Sequence, residues 1–555
     1  MALVLVFSAV SCASTKAAEP AESAAPAVFV PNDNDIVVLF SNDVHCGIEG
    51  TIGYAGLVSY RDSLKAATPY IVTADCGDAV QGEVIGTVSK GEYIVDIMNK
   101  CGYDVAVLGN HEFDYGMDQL ANLVAKADYT YLAANLNFSG KNETFLDNTK
   151  PYVIKEFGNK KVAFIGLETP DSITTSTPSY FQEDGVYVYT FDTCRDGSLL
   201  ATVQKNVNEA RKAGADYVIL MTHLGDEAVA SGSTSLAVIA GTEGVDAVLD
   251  GHAHSVIPCQ KVANKNGEDV VLCSTGTKFE NLGKLTIAAD GTITAELISD
   301  WEGKDEATAA YIAEIQASYE EAMKRVVATI DAGFSISRAD GSRAVRNSET
   351  AIGNMCADAY RTLAGTDIAF VNGGGIRADL PKGDVTYEDI IKVHPFGNQL
   401  TAVKTTGQQI LDCLELACIN TQKEGSADGK ALGESGGFQS VSGLKFTLDT
   451  SIPSSVVLDD NGSFVTVSGA RRVQDVQVLK DGAWVAIDPA ATYTLASHNY
   501  MIKDGGDGFN MFQGDELLID AGTLDYQVLL TYITDTLGGK LADKYSAPEG
   551  RIIIK

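Results

Sequence analysis

Apolar positions along the chain fall into two spacings that alternate. Short runs rich in β-branched residues, Ile36–Phe40, Tyr70–Thr73, Val105–Leu108, Val162–Leu167, Tyr217–Met221 and Val245–Leu249, have the composition of buried strands. Between them, Ala55–Leu64, Tyr93–Cys101, Met117–Lys126 and Leu199–Ala213 repeat their apolar side chains at the helical period. Strand alternating with helix predicts an α/β layered domain over residues 35–300. Tyr311, Ile312, Ile315, Tyr319 and Met323 keep helical spacing within a charged stretch, which predicts one long exposed helix over 301–331 leading into a second domain, 332–555.

The N-terminal end reads differently. The apolar run Leu3–Val10 falls well short of the roughly 20 residues needed to span a bilayer but suits the core of an export signal, and Ala9-Val10-Ser11-Cys12 resembles a lipoprotein signal. Residues 1–12 are therefore expected to be a signal segment with Cys12 as the lipid-attachment site, and the Ala-, Pro-, Glu- and Ser-rich residues 13–34 a flexible tether. These features predict an exported periplasmic or cell-surface protein.

Charge narrows the partners. With 41 Lys plus Arg against 74 Asp plus Glu, the formal charge is −33. No Lys/Arg-rich run interrupts this acidity, so a nucleic-acid polymer is not an expected partner. The ten cysteines include no Cys-x-x-Cys pair and no regular spacing, and so form neither a zinc knuckle nor a disulfide framework.

The segments just after the strand runs are more specific. Ser41-Asn-Asp43-Val-His45, Asp75-Cys-Gly-Asp78, Gly109-Asn110-His111-Glu-Phe-Asp114, Thr222-His223-Leu-Gly and Asp250-Gly-His252-Ala-His254 each come directly after such a run. Ligands of open α/β sheets gather beyond the carboxyl ends of the strands, so five loops deliver Asp, Asn and His to one crevice. Five of the seven histidines in the chain lie in these loops. Imidazole with carboxylate suits Zn, Mn or Fe, and a carboxylate bridging two ions about 3.5–4 Å apart suits attack at phosphorus.

In this order the motifs resemble the dinuclear metallophosphoesterase signature, and the downstream chain narrows the resemblance to the 5′-nucleotidase family. That resemblance implies a four-layer, calcineurin-like α/β sandwich, a linker helix and a C-terminal α/β substrate-binding domain. It implies two divalent metal ions, Zn, Mn or similar. Asp43, His45 and His254 would bind one, Asn110, His223 and His252 the other, and Asp78 would bridge them. His111 would stabilise charge on the phosphoryl group, oriented by Asp114, although Asp114 also stands where it can cap the following helix.

In the second domain, Arg346 lies in a segment that begins a helix, Asn372-Gly-Gly-Gly-Ile-Arg377 comes after the strand run Ile368–Val371, and Gly505-Gly-Asp507-Gly-Phe509 lies near the end. A Gly-rich loop alone is weak evidence. Together with Pro395-Phe396-x-Asn398 and Gly437-Phe438, these segments resemble the nucleotide-binding half of the same family. Arg346 and Arg377 would then hold the phosphate or nearby polar groups. Asn372 and Asp507 would bond base and ribose. The family's aromatic clamp on the base falls at Phe438 and, departing from an aromatic, at Met501. Tyr500 is expected to point away if the stretch is extended, because neighbouring side chains alternate faces. His394 reads as structural, and His498 as a candidate wall of the base pocket.

These readings predict an exported hydrolase of nucleotide phosphate esters, nucleoside 5′-monophosphates foremost, acting as monomer or homodimer. The alternatives are a 2′,3′-cyclic-nucleotide phosphodiesterase with 3′-nucleotidase action, a UDP-sugar hydrolase, a thiosulfate-ester hydrolase and, more distantly, a non-catalytic surface adhesin.

Overall fold

The computed structural model describes residues 35–555 apart from 142–143, 227–230, 423–432 and 521. The expected signal segment 1–12, Cys12 and the tether 13–34 lie outside the described residues. Two six-stranded sheets make the first half. One runs Ile293–Ile298, Leu282–Ile287, Ile36–Ser41, Ile71–Asp75, Val105–Val107, Thr130–Leu132. The other runs Val256–Ala263, Asp269–Thr275, Ala247–Asp250, Tyr217–His223, Lys160–Glu168, Tyr152–Phe157.

Alternation along the strands sorts their side chains into layers. Ile36, Val38 and Phe40 of one sheet meet Phe164, Ile219, Met221 and Leu249 of the other in a shared core. Val37 and Leu39 face the opposite way, onto Tyr54, Leu57, Ile94 and Met98 of helices Gly53–Leu64 and Glu92–Cys101. Ile165, Leu167, Val218 and Leu220 face helix Ser198–Lys212 through Leu199, Val203 and Val207. The result is helix, sheet, sheet, helix: a four-layer sandwich whose central strands are parallel and open their carboxyl ends on one side.

The helix after the sandwich is shorter than the spacing predicts. It covers Glu306–Met323, with the Asp305 carboxylate accepting from Thr308 N at 2.7 Å as N-cap. Ile312 and Ile315 bury against the first half. It ends because Val326-Val-Ala-Thr-Ile330 is a β-branched run that pairs antiparallel with Gly383–Thr386. The chain is therefore already in the sheet structure of the second half by Val326, ahead of the boundary expected at residue 332.

The second half holds a five-stranded sheet, Gln439–Ser442, Ile368–Asn372, Thr492–His498, Leu400–Thr406, Glu516–Ile519. Helix Ala351–Ala364 packs one face and Gly407–Ala417 the other. Asn372 ends one central strand and His498 its neighbour, on the side that faces the Asp-, Asn- and His-bearing loops of the first half.

Candidate active site

The five loops converge at the carboxyl ends of the strands. Asp43 and His45 come after strand Ile36–Ser41, Asp78 after Ile71–Asp75, Asn110 and His111 after Val105–Val107, His223 ends Tyr217–His223, and His252 and His254 come after Ala247–Asp250. Asp43, His45, Asp78, His252 and His254 all have positive φ, between 45° and 78°. Non-glycine residues held there store strain, and the cost is met only where the surroundings over-determine the conformation. Glu112 does part of that work. Its Oε2 accepts from Asp78 N at 2.8 Å and Gly109 N at 2.5 Å, and its Oε1 accepts from Ala79 N at 2.8 Å. Gly77, at φ 90°, is required because a Cβ there would lie 2.7 Å from His223 Nδ1.

Backbone carbonyls fix the imidazoles. His223 Nδ1–H donates to Cys76 O at 2.7 Å and His45 Nδ1–H to Gln81 O at 3.0 Å, so each turns its Nε2 inward. His45 Nε2 lies 3.0 Å from His254 Nε2, and His254 Nε2 lies 3.5 Å from Asp43 Oδ1. His223 Nε2 lies 3.1 Å from Asp78 Oδ2 and 3.9 Å from Asp43 Oδ1. His252 Nδ1 lies 2.9 Å from Asn110 Oδ1.

Electrostatics sharpen the picture. Burial holds His45 and His254 well below the usual imidazole range and His252 down to about 3, so these rings are neutral and can donate lone pairs. Burial, with a contribution from Asp78, raises Asp43 to about 7. For Asp78 and His223 burial opposes the charged forms, but their mutual attraction outweighs it, lowering Asp78 and raising His223.

The donors fit divalent cations on this structure's own terms. His223 Nε2 is buried, with Asp78 Oδ2 at 3.1 Å but no well-aligned hydrogen bond. Asp43, His45 and His254 bring their ligand atoms within 4.8 Å of one another, as do Asp43, Asp78 and His223. Neutral imidazoles with carboxylates are the donor set of Zn and its neighbours.

His111 lies at the rim. Its Nδ1 is 2.6 Å from Asp114 Oδ2, and Asp114 Oδ1 accepts from Ser176 Oγ at 3.0 Å. Burial works against the imidazolium, but Asp114 and Asp78 outweigh it and raise its pKa.

One cavity joins this cluster to the second half. Asp78, Asn110, His111, Asp114, His252 and His254 line one side, and Arg346, Asn372, Arg377 and Asp507 the other. Asn372 Nδ2 donates to Asp507 Oδ2 at 2.8 Å. No described residue accepts a hydrogen bond from the side chain of Arg346 or Arg377. Burial, then the neighbouring Arg343, lowers Arg346 well below the usual guanidinium range and Arg377 to about 10. Two guanidinium groups that donate to no described residue, beside an Asp/His cluster that could hold cations, can receive an anion.

The expected base clamp is not at the cavity wall. Phe438 and Met501 are both fully buried, in a core with Phe370, Leu495 and Phe509. Tyr500 lines the cavity instead. The reason is local: Asn499–Ile502 is a helical turn, so the alternation of an extended stretch does not apply, and Met501 turns inward toward Ser497 Oγ. Phe396, stacked 6.0 Å from His111, and Tyr180 supply further aromatic wall. His498 does not line the cavity; it stands behind Asn372, with Nε2 3.0 Å from Asn372 Oδ1. His394 Nδ1 bonds Gly375 O in the interior.

Sequence reasoning missed Glu112, Ser176, Tyr500 and Arg343. Glu112 stands inside the Gly109-Asn-His-Glu segment, which was the available signal. Arg343, three residues before Arg346, lines the same cavity and is held by Glu434 at 2.7 Å.

Comparison with known proteins agrees with both halves. Residues 326–514 match the family described as 5′-nucleotidase, C-terminal domain, and residues 65–277 match that described as bacterial capsule synthesis protein PGA_cap. The trifunctional nucleotide phosphoesterase YfkN of Bacillus subtilis is 26% identical over 93% of this chain, which spans 35% of that longer protein. The human 5′-nucleotidase is 25% identical over 93% of this chain and 90% of its own. The crystal structure of a 5′-nucleotidase precursor from Thermus thermophilus superposes with a TM-score of 0.75 at 26% identity, covering 94% of this chain and 99% of the other. Likeness in sequence and in structure runs through both halves of the chain and supports the 5′-nucleotidase family and a phosphoric ester hydrolase.

Proposed function

We propose that the protein hydrolyses nucleoside 5′-monophosphates to nucleoside and phosphate, with two divalent cations of the Zn or Mn class. The observation that carries this reading is the pair of guanidinium groups, Arg346 and Arg377, which donate to no described residue and face the Asp/His cluster across one cavity. Asp43, His45 and His254 would hold one ion and Asn110, His223 and His252 the other, with Asp78 shared. When bound, the ions supply Lewis acidity and hydroxide near neutral pH.

The chain's own groups do the rest. Arg346 and Arg377 orient the phosphate, each able to grip two oxygens. Arg343 adds charge at the same wall. His111, whose pKa Asp114 and Asp78 raise against burial, presents its Nε2–H to a phosphoryl oxygen as negative charge grows there. Asn372 and Asp507 take polar edges of the nucleoside, and the Tyr500 ring gives the base a face to stack on. The first half thus supplies chemistry and the second recognition, with the helix Glu306–Met323 between them. We also infer export, with Cys12 as the point of lipid attachment, from the apolar N-terminal run. The chain is expected to act as a monomer or homodimer.

A substrate panel tests the reading. AMP should be cleaved faster than 3′-AMP, 2′,3′-cyclic AMP and UDP-glucose. Activity confined to the cyclic and 3′ esters would replace the 5′ assignment, and activity confined to UDP-glucose would make the protein a nucleotide-sugar hydrolase.

A further inference from the structure

Two runs of hydrogen bonds, one from Asn372 to Thr174 and one from Ser176 to His111, are joined by the backbone of the turn 174–176 and together lead from the second half to the first. In the second half, Asn372 Nδ2 donates to Asp507 Oδ2 at 2.8 Å, and Asp507 N donates to Tyr500 Oη at 3.0 Å. The single hydroxyl proton of Tyr500 then goes to the first half, donated to Thr174 O at 3.0 Å. Thr174 also approaches the second half through its Oγ1, whose one proton is shared between Asp171 O and Asn461 O, each at 3.3 Å. Thr174 lies in the one-turn helix Ser172–Thr175, which is pinned from below by Ser172 Oγ donating to buried Glu168 Oε1 at 2.6 Å. Two residues on, Ser176 Oγ donates to Asp114 Oδ1 at 3.0 Å, and Asp114 Oδ2 meets His111 Nδ1 at 2.6 Å.

The two ends of this chain have different work. With one oxygen held by Ser176 and the other by His111, the Asp114 carboxylate has its plane fixed, and with it the plane of the imidazole. Without Ser176 the carboxylate keeps only one bond and can rotate. Ser176 itself is 1% exposed and does not line the cavity, so its hydroxyl acts through Asp114 alone. The position of Ser176 depends in turn on Thr174, which the Tyr500 hydroxyl holds from the opposite half. The Tyr500 ring is set flat against Gly506, where any Cβ would collide with it.

We propose that Ser176 is a positioning residue for His111, and that the Tyr500–Thr174 hydrogen bond couples a nucleoside held in the second half to the alignment of the imidazole in the first. This rests on the phosphomonoesterase reading above and adds its regulation: the dyad is fully aligned only when the two halves are clasped.

The test is a double-mutant cycle in the full chain, Ser176→Ala, Tyr500→Phe and both, with AMP as substrate and kcat and KM measured separately. Tyr500→Phe keeps the stacking ring and removes the hydroxyl, and with it both the bond to Thr174 O and the acceptor of Asp507 N, whose loss is read in KM. Ser176→Ala should lower kcat by about tenfold and Tyr500→Phe by about fivefold, with KM within about twofold in each, since alignment of a transition-state donor is lost and not ground-state binding. The double variant should be no slower than Ser176→Ala alone, because residues acting as one unit are non-additive. Should Ser176→Ala not accumulate, Tyr500→Phe alone decides by its split between kcat and KM. Effects that multiply in the double variant, or a Tyr500→Phe change confined to KM, would overturn the coupling while leaving the hydrolase reading intact. A wild type without phosphate release from AMP would overturn both.

Discussion

Replacing Arg377 by Met removes a charge and keeps an unbranched stem of similar length. The guanidinium lies 5.7 Å from the Phe396 ring centroid and donates to no described residue, while burial and Arg343 hold its pKa down to about 10. A cation kept without a protein partner costs folding free energy and is retained for a ligand. Two charge-assisted hydrogen bonds to phosphate, at about 1.5–3 kcal/mol each, give about 3–6 kcal/mol of transition-state binding. Arg377→Met should therefore lower kcat/KM for AMP by a factor of about 10² to 10⁴. The same change relieves the unpaired charge, so the Tm of the substrate-free protein should stay level or rise. Phosphate release and thermal unfolding on the same preparation make the check. A Tm several degrees lower together with lost activity would show that Arg377 holds the fold, and would refute its assignment to the phosphate.

Three other parts of the molecule give outcomes of their own. Glu112→Gln leaves backbone N–H groups of the Asp78 and Gly109 loops facing an amide NH₂, so Tm should fall, by about 2–4 kcal/mol of stability, and purified protein should carry less metal per chain by elemental analysis. Tyr500→Ala should raise KM for AMP by the loss of about 1–3 kcal/mol of stacking, whereas Met501→Ala should leave KM alone and destabilise by about 2–5 kcal/mol. Asp358 is bound by Arg551, Ser442 and Tyr545, and although burial opposes its charge, Arg551 and its other partners hold its pKa below the ordinary 3.8. A depressed carboxylate stabilises the fold fully above its unfolded value and loses that contribution as pH falls through the folded one. Asp358→Asn should thus destabilise by roughly 3–5 kcal/mol at neutral pH, with the gap between wild type and variant closing in urea titrations below the ordinary value.

The sandwich was legible because its strands are buried on both faces, which writes continuous apolar runs such as Ile36–Phe40 and Tyr217–Met221 into the sequence. The convergence of the Asp-, Asn- and His-bearing loops was legible because each comes directly after such a run. Whatever local pattern does not carry was lost. The long helix was drawn past Met323, since the charges around it mask the change to the β-branched run Val326–Ile330, whose partner strand begins at Gly383. Tyr500 and Met501 were exchanged because face alternation presumes an extended chain, and one helical turn reverses it. Ser176 gives no signal at all: its partner Asp114 is 62 residues away and only the fold brings them together.

The most direct measurement of the central claim is phosphate release from AMP by the full chain, before and after treatment with chelator and again after adding back Mn or Zn, with His111→Ala alongside. The expected result is activity that chelator abolishes, that the divalent ion restores, and that the variant reduces by about 10² or more. Hydrolysis that persists in the metal-stripped protein, or that His111→Ala leaves unchanged, would contradict it.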